Sequence, residues 1–203
     1  MANNKNTQEL LLQAATELFY KKGYADTSVR EVGAKAGVSN SLLYHYFKDK
    51  EEMLFQIITN TVHDLLKVLE EIDKDVKDPI ERLKDKLVSH MILFGMKRRK
   101  ESKIVVEEHY YLRGKRREAS ANYEKEIFAM YMKDLVALQA DGKLKDINPT
   151  VLAFSIFGII NWFFRWYKDS GRLSQEEVAN NILKFMLHGM LAEDLVQGGV
   201  THE

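Results

Sequence analysis

The chain has 203 residues, with 30 Lys and Arg against 30 Asp and Glu, so its formal net charge is zero and total charge identifies no polyanionic partner. It has no cysteine, which excludes a disulfide framework, a thiol nucleophile and a cysteine zinc site. The length accommodates a small head and a larger body. The amino-terminal MANNKNTQEL is polar and has no signal-peptide apolar core. The longest apolar run, Ala153 to Phe164 with Ser155, Gly158 and Asn161 inside it, is too short to span a bilayer. A cytoplasmic protein is expected.

The chain reads as helices throughout. Leu11, Ala14, Ala15, Leu18 and Phe19 form a helical stripe stopped by Gly23. Ser28 with Glu31 three residues on is a capping-box spacing. The helix it opens carries Val29, Val32 and Ala36 on one side and ends at Gly37, a residue suited to a left-handed helix stop. Ser39 then caps a second short helix, Asn40 to Phe47, whose Leu43 and Phe47 face the core. Asp49 with Glu52 starts a long helix from about Lys50 to Val76. Asp78-Pro79 with Glu81 opens the next, expected to run to about Lys100, so that Lys97-Arg98-Arg99-Lys100 complements its carboxyl-terminal dipole. Further helices are expected over about Ser102–Leu112, Lys115–Ala140 (stopped by Gly142), Asn148-Pro149 to about Ser170 (closed by Gly171), and Ser174, with Glu177, to about Ala192. The tail from Gln197 to Glu203 is expected to fray. The expected fold is all-α, about nine helices, with no strand, repeat or low-complexity linker.

A helix–glycine turn–helix of the size seen in residues 27–50 is the arrangement that lays its second helix in the DNA major groove. Its outward side carries Asn40, Ser41, Tyr44 and His45, polar or aromatic groups suited to base edges and phosphates. Residues 1–50 hold seven Lys or Arg and five acids, a slight basic bias, so the motif rather than the charge carries the reading.

Gly23-Tyr24, Thr27-Ser28-Val29-Arg30-Glu31-Val32, Ala36-Gly37-Val38-Ser39 and Leu43-Tyr44-His45-Tyr46-Phe47-Lys48-Asp49-Lys50-Glu51 together resemble the N-terminal domain of the tetracycline-repressor (TetR) family over about the first 55 residues. The resemblance implies a homodimeric, all-helical transcriptional regulator, usually a repressor, released from a palindromic double-stranded operator by a small ligand. It implies a DNA-contacting role for Tyr44 and, around it, Thr27, Ser28, Arg30, Ser39, Asn40, Ser41, Leu42, His45, Lys48 and Lys50. Asn40-Ser41-Leu42 stand where the family often has Lys-Gly-Thr. The expected organisation is a three-helix head, residues 1–48, and a ligand-binding and dimerisation body, residues 49–203.

The body is rich in large apolar groups, which makes either a plain core or a buried apolar pocket. Candidate lining residues are Met91, Phe94, Tyr110, Tyr111, Phe128, Tyr131 and Phe157. The helix around Ser155–Trp162 and the last helix have broad apolar faces, which suit a symmetric partner. Asn161-Trp162-Phe163-Phe164-Arg165-Trp166-Tyr167, followed by Gly171-Arg172-Leu173-Ser174, resembles the C-terminal region of TetR members that sense acyl-coenzyme A thioesters. Arg165 between Trp162 and Trp166 suits a phosphate beside a stacked ring. Arg113 and Arg116, in a basic cluster with Lys115 and Arg117 in a glycine-containing loop, are a second candidate phosphate contact; the plain alternatives are a solvated loop for that cluster and an interface ion pair for Arg165.

Catalytic motifs are absent: there is no glycine-rich phosphate loop, HExxH or nucleophile elbow. No cofactor and no metal is expected, because Glu107-Glu108-His109 reads as a solvated helix surface. The expected effector is hydrophobic, an acyl-CoA. Two alternatives stay open: a multidrug-type repressor sensing drug-like compounds, and an all-helical carrier or enzyme that never meets DNA. A membrane-surface protein is disfavoured by the zero net charge.

Overall fold

The structure, a computed structural model, describes residues 2–167 and 170–192, without the side chains of residues 2–5 and Phe164. Nine α-helices occur among them: α1 (Ala2–Lys22), α2 (Val29–Ala36), α3 (Asn40–Tyr46), α4 (Lys50–Asp75), α5 (Pro79–His90), α6 (Arg99–Glu108), α7 (Gly114–Ala140), α8 (Pro149–Trp166) and α9 (Gln175–Met190). A π-helical segment, Met91–Lys97, follows α5, and a 3-10 turn, His109–Tyr111, follows α6. The described residues contain no strand, only an antiparallel bridge between Leu144 and Leu191. None of their helices is long and apolar enough to cross a membrane.

Most helices begin where local chemistry says they should. Ser28 and Ser174 each form a complete capping box, with Glu31 and Glu177. Asp78 and Asn148 accept backbone hydrogen bonds from the residues that follow Pro79 and Pro149. Asp49 accepts from the Glu52 amide at 2.7 Å, and Glu52 accepts from the Lys48 amide at 2.7 Å.

Three expectations are corrected. The helix from Pro79 does not run to Lys100: it leaves α geometry at Met91. Arg98, Arg99 and Lys100 therefore sit at the start of α6, where positive charge opposes the dipole, and Arg98 instead pairs with Asp64 and lies 3.9 Å from Glu101. Helix α8 ends at Trp166 rather than Ser170, with Tyr167 extended; Lys168 and Asp169 lie outside the described residues, as does the 197–203 tail.

By its contacts the chain divides into two compact units: Met1–Asp64 with Arg98–Tyr123, and Leu65–Lys97 with Glu124–Glu203. In the first, Leu11, Ala15 and Phe19 of α1, Val32 of α2, Leu43 and Phe47 beside α3, and Met53, Leu54, Ile57 and Ile58 of α4 are buried, with Ile104 of α6. In the second, Leu65 and Leu69 of α4 are buried, as are Leu83 and Leu87 of α5, Met91, Tyr131, Leu135 and Leu138 of α7, and Ile156, Ile160 and Phe163 of α8. The π segment is where α8 comes close. A Cβ on Gly95 would stand 2.1 Å from Cδ1 of Phe163, a separation no side chain tolerates. Only glycine admits the ring there.

Candidate nucleic-acid interface and effector site

Helix α2 ends in a pair of crossing backbone bonds. Gly37, at φ 67°, donates to Ala34 at 3.2 Å, and Val38 donates to Gly33 at 2.9 Å. This closes the helix and reverses the chain within two residues. Ser39 then accepts from the Leu42 amide and opens α3. Leu43 is buried beneath it, and Asn40, Ser41, Leu42, Tyr44 and His45 are exposed. Tyr44, 56 % exposed, is a large aromatic held outward on a short rigid helix. Arg30 and Lys48 are also exposed.

Three expected DNA-contacting residues serve the architecture. Thr27 is buried, its hydroxyl donating to the Gly23 carbonyl at 2.8 Å. Ser28 is occupied by its capping box: its amide and hydroxyl both donate to Glu31 at 2.8 Å. Lys22 lies 2.5 Å from Glu31. The Lys22 hydrogen bond, then the Ser28 amide, pull the Glu31 pKa down to about 2. Lys50 points back into the loop before α2, donating to the carbonyls of Tyr24, Ala25 and Thr27 at 2.7, 3.2 and 2.8 Å and lying 4.3 Å from the Tyr24 ring centre. Partial burial lowers its pKa. It ties the start of α4 to the loop before α2.

The same unit holds four of the expected effector residues, arranged as a brace. Arg116 donates to Asp49 at 2.8 Å and has Glu51 and Glu52 within 3.7 and 3.9 Å; the Arg113 amide donates to Glu51 at 3.0 Å. Arg116 is thus committed to the acidic first turn of α4, next to the end of α3. Of its basic cluster, Lys115, Arg116 and Arg117 stand in the first turn of α7 rather than in a loop, and Arg113 just before it. Tyr111 lies between Tyr24 (4.9 Å) and Tyr110 (4.3 Å), and Tyr110 is 61 % exposed.

The remaining eight fall in the second unit and separate by burial. Met91, Phe94 and Tyr131 are buried, with Phe128 and Phe157 half-buried. Tyr131 and Phe157 rings meet at 5.2 Å, and Phe128 and Phe157 at 6.2 Å. Trp162, Arg165 and Trp166 lie elsewhere, on the exposed side of α8, where the Arg165 guanidinium stands 4.4 Å from the Trp162 ring centre. Val151 and Phe154 of α8 and Phe185 of α9 are also exposed.

Sequence reasoning missed two polar features of this second unit. His90 is fully buried against Phe94 (4.8 Å) and Tyr131. Lys86 and Asp134, both fully buried, meet at 2.7 Å, with Asp73 2.5 Å from Lys86 and Arg82 2.6 Å from Asp134. Burial opposes the Asp73 charge, but hydrogen bonding and charge from Lys86 and Lys133 outweigh it, and its pKa falls. The available signal was Lys86 and His90 standing on the apolar stripe of Leu83, Leu87, Met91 and Phe94.

A capped helix-turn-helix with an outward polar and aromatic face defines a DNA-binding regulator head. Residues 11–57 match the family described as bacterial regulatory proteins, tetR family. Residues 76–190 match the tetracyclin repressor-like C-terminal domain. The chain belongs to the TetR family: it is a ligand-responsive DNA-binding transcriptional regulator and not an enzyme. It is 27% identical over 187 residues to the HTH-type transcriptional repressor KstR2 of Mycolicibacterium smegmatis, covering 89% of this chain and 88% of that protein. It is 24% identical over 182 residues to the HTH-type transcriptional regulator HbdR of Aromatoleum sp., covering 89% of this chain and 79% of that one. Among solved structures, AibR in complex with isovaleryl coenzyme A and operator DNA superposes with a TM-score of 0.82 at 28% identity, over 88% of this chain and 97% of that one.

Proposed function

We propose that the chain is a cytoplasmic, homodimeric repressor, with residues 1–48 as the reading head and 49–203 as the effector and dimerisation body. It binds a palindromic operator and releases it when an acyl-CoA occupies the body. The observation that carries the DNA reading is the exposed face of α3, with Tyr44 at its centre and Arg30 on the preceding helix. Dimerisation is supported by Val151, Phe154 and Trp162 of α8 and Phe185 of α9, large apolar groups left exposed in one chain. Two half-sites about 34 Å apart then face two reading heads.

The thioester reading is supported by the isovaleryl-CoA complex of AibR and by the aromatic group Phe94, Phe128, Tyr131 and Phe157. Arg165 with Trp162 remains a candidate for the nucleotide end, whereas Arg116 is spent on the α4 acids. An effector acts only through unequal affinity for the DNA-competent and DNA-incompetent states. Release by tens of fold needs a coupling of about 2 kcal/mol.

The test is fluorescence anisotropy with labelled DNA from the protein's own promoter region. Specific binding that weakens with salt is expected, followed by release with acyl-CoAs of graded length. Equal affinity for scrambled DNA overturns the operator reading. Release by hydrophobic cations but by no acyl-CoA favours a drug-sensing repressor instead.

A further inference from the structure

His90 ends α5, and its ring is buried. Its Nδ1 lies 3.1 Å from the Tyr131 hydroxyl, which itself donates to the Lys86 carbonyl at 3.1 Å. A phenol has one proton to give. We assign that proton to the Lys86 carbonyl, which can only accept, so that the contact between Nδ1 and the hydroxyl takes the proton of Nδ1. A neutral imidazole carries only one N–H, so Nε2 is left as a bare acceptor. That atom is buried and has no hydrogen-bond partner. An orphaned buried acceptor is destabilising, and burial keeps the ring neutral, its pKa near 3.

The surroundings are aromatic. Phe94 lies 4.8 Å from the His90 ring centre and Phe157 6.2 Å. Phe157 continues to Phe128 at 6.2 Å, and Phe128 to Phe154 at 5.3 Å. Phe154 is 64 % exposed, Phe128 and Phe157 are half-buried, and His90 is buried. A file of rings therefore leads from the surface to an unused lone pair. The backbone beyond His90 adopts the π geometry of Met91–Lys97, a local widening often found at functional sites.

We propose that His90 Nε2 is the polar anchor of the effector site and accepts a hydrogen bond from a hydroxyl group on an otherwise apolar effector chain lying along Phe154, Phe128 and Phe157. This rests on the acyl-thioester reading above and adds to it a preference for hydroxylated chains. An ammonium group, although attracted to ring faces, would lose its hydration there without a counter-charge. A carboxylate or ketone brings only another acceptor to Nε2. A hydroxyl supplies the missing proton, and a saturated chain leaves the lone pair unpaired.

The test compares coenzyme A thioesters of equal chain length in operator release by the full-length protein: saturated, 3-oxo, 3-hydroxy and terminally hydroxylated. One of the two hydroxylated forms should act at a concentration at least tenfold below the saturated and oxo forms. His90→Phe should bring the hydroxylated thioesters to the potency of the saturated one. Equal potency of all four on the wild type, or a preference that survives in His90→Phe, overturns the proposal.

A second measurement is independent of DNA release and of coenzyme A. The His90 Nε2 resonance in ¹⁵N-labelled protein should move from the free-acceptor position to the hydrogen-bonded one on addition of a long-chain alcohol, and not with the matching alkane. An unmoved resonance overturns the anchor even if His90→Phe fails to fold. Failure of every thioester to release DNA, with the resonance still moving, removes the thioester reading and leaves the anchor standing.

Discussion

Lys86 of α5 and Asp134 of α7 meet at 2.7 Å with neither side chain reaching solvent. Lys86 also contacts Asp73 and donates to the Met130 carbonyl at 3.0 Å, and Arg82 shares Asp134. Removing one partner of a buried pair strands the other, at a cost of roughly 3–5 kcal/mol. Lys86→Met should lower unfolding stability by that order, read from urea titration. Lys86→Met with Asp134→Leu should recover part of the loss, because the stranded charge goes too. A double variant as unstable as the two single losses added would mean the two groups are not coupled.

Gly95 against Phe163 gives a packing prediction. Gly95→Ala forces its Cβ into the ring, and overpacking of this kind typically costs about 1–3 kcal/mol. Gly95→Ala with Phe163→Leu should be less destabilised than Gly95→Ala alone. The same thermal melt on both proteins checks it, and an indifferent Gly95→Ala would show that the π segment gives way freely.

At the reading head, Tyr44→Ala should abolish operator binding and leave the helical circular dichroism unchanged, since the side chain packs outward. Arg30→Ala should weaken binding by roughly 1–3 kcal/mol if the guanidinium reads a base. Anisotropy titrations on wild-type-like curves for both variants would mean that another face meets DNA.

His90 predicts an acid-sensitive stability. Its folded pKa lies at about 3 against an ordinary 6.5, so between those values the unfolded chain carries a proton that the folded one does not. Stability is therefore fully present above pH 6.5 and declines as pH falls toward 3, by at most about 1.4 kcal/mol per pH unit. His90→Gln cannot titrate, so its stability loss between pH 7 and pH 5 should be smaller than that of the wild type by about 2 kcal/mol. Equal losses in urea titrations at the two pH values would place a proton on His90 in the folded state.

Helix starts were legible because a cap is a local event: Ser28 with Glu31, Asp78-Pro79, Asn148-Pro149 and Ser174 with Glu177 all act where the sequence puts them. The break at Met91 was not, since it accompanies a ring contributed by a different helix to the space over Gly95. The outer face of α8 could not be told from its inner face for another reason. Apolar residues surround that helix, so periodicity alone cannot separate buried Ile156, Ile160 and Phe163 from exposed Phe154, Trp162 and Trp166. Arg116 read as a candidate phosphate contact because its acids, Asp49 just before α4 and Glu51 and Glu52 within it, are far away in sequence.

Helix α3 has seven residues, well short of the roughly 12–15 at which isolated helices become even marginal in water. It persists because Leu43 and Phe47 anchor it from below and Ser39 closes its start. None of those three groups is in the outward-facing set Asn40, Ser41, Leu42, Tyr44 and His45. Folding and reading are thus assigned to different letters of one short word. If the outward face reads DNA as proposed, substitutions among the outward letters can move the protein to a new operator without disturbing the helix that presents them, and the head can diversify its targets while its architecture stands still.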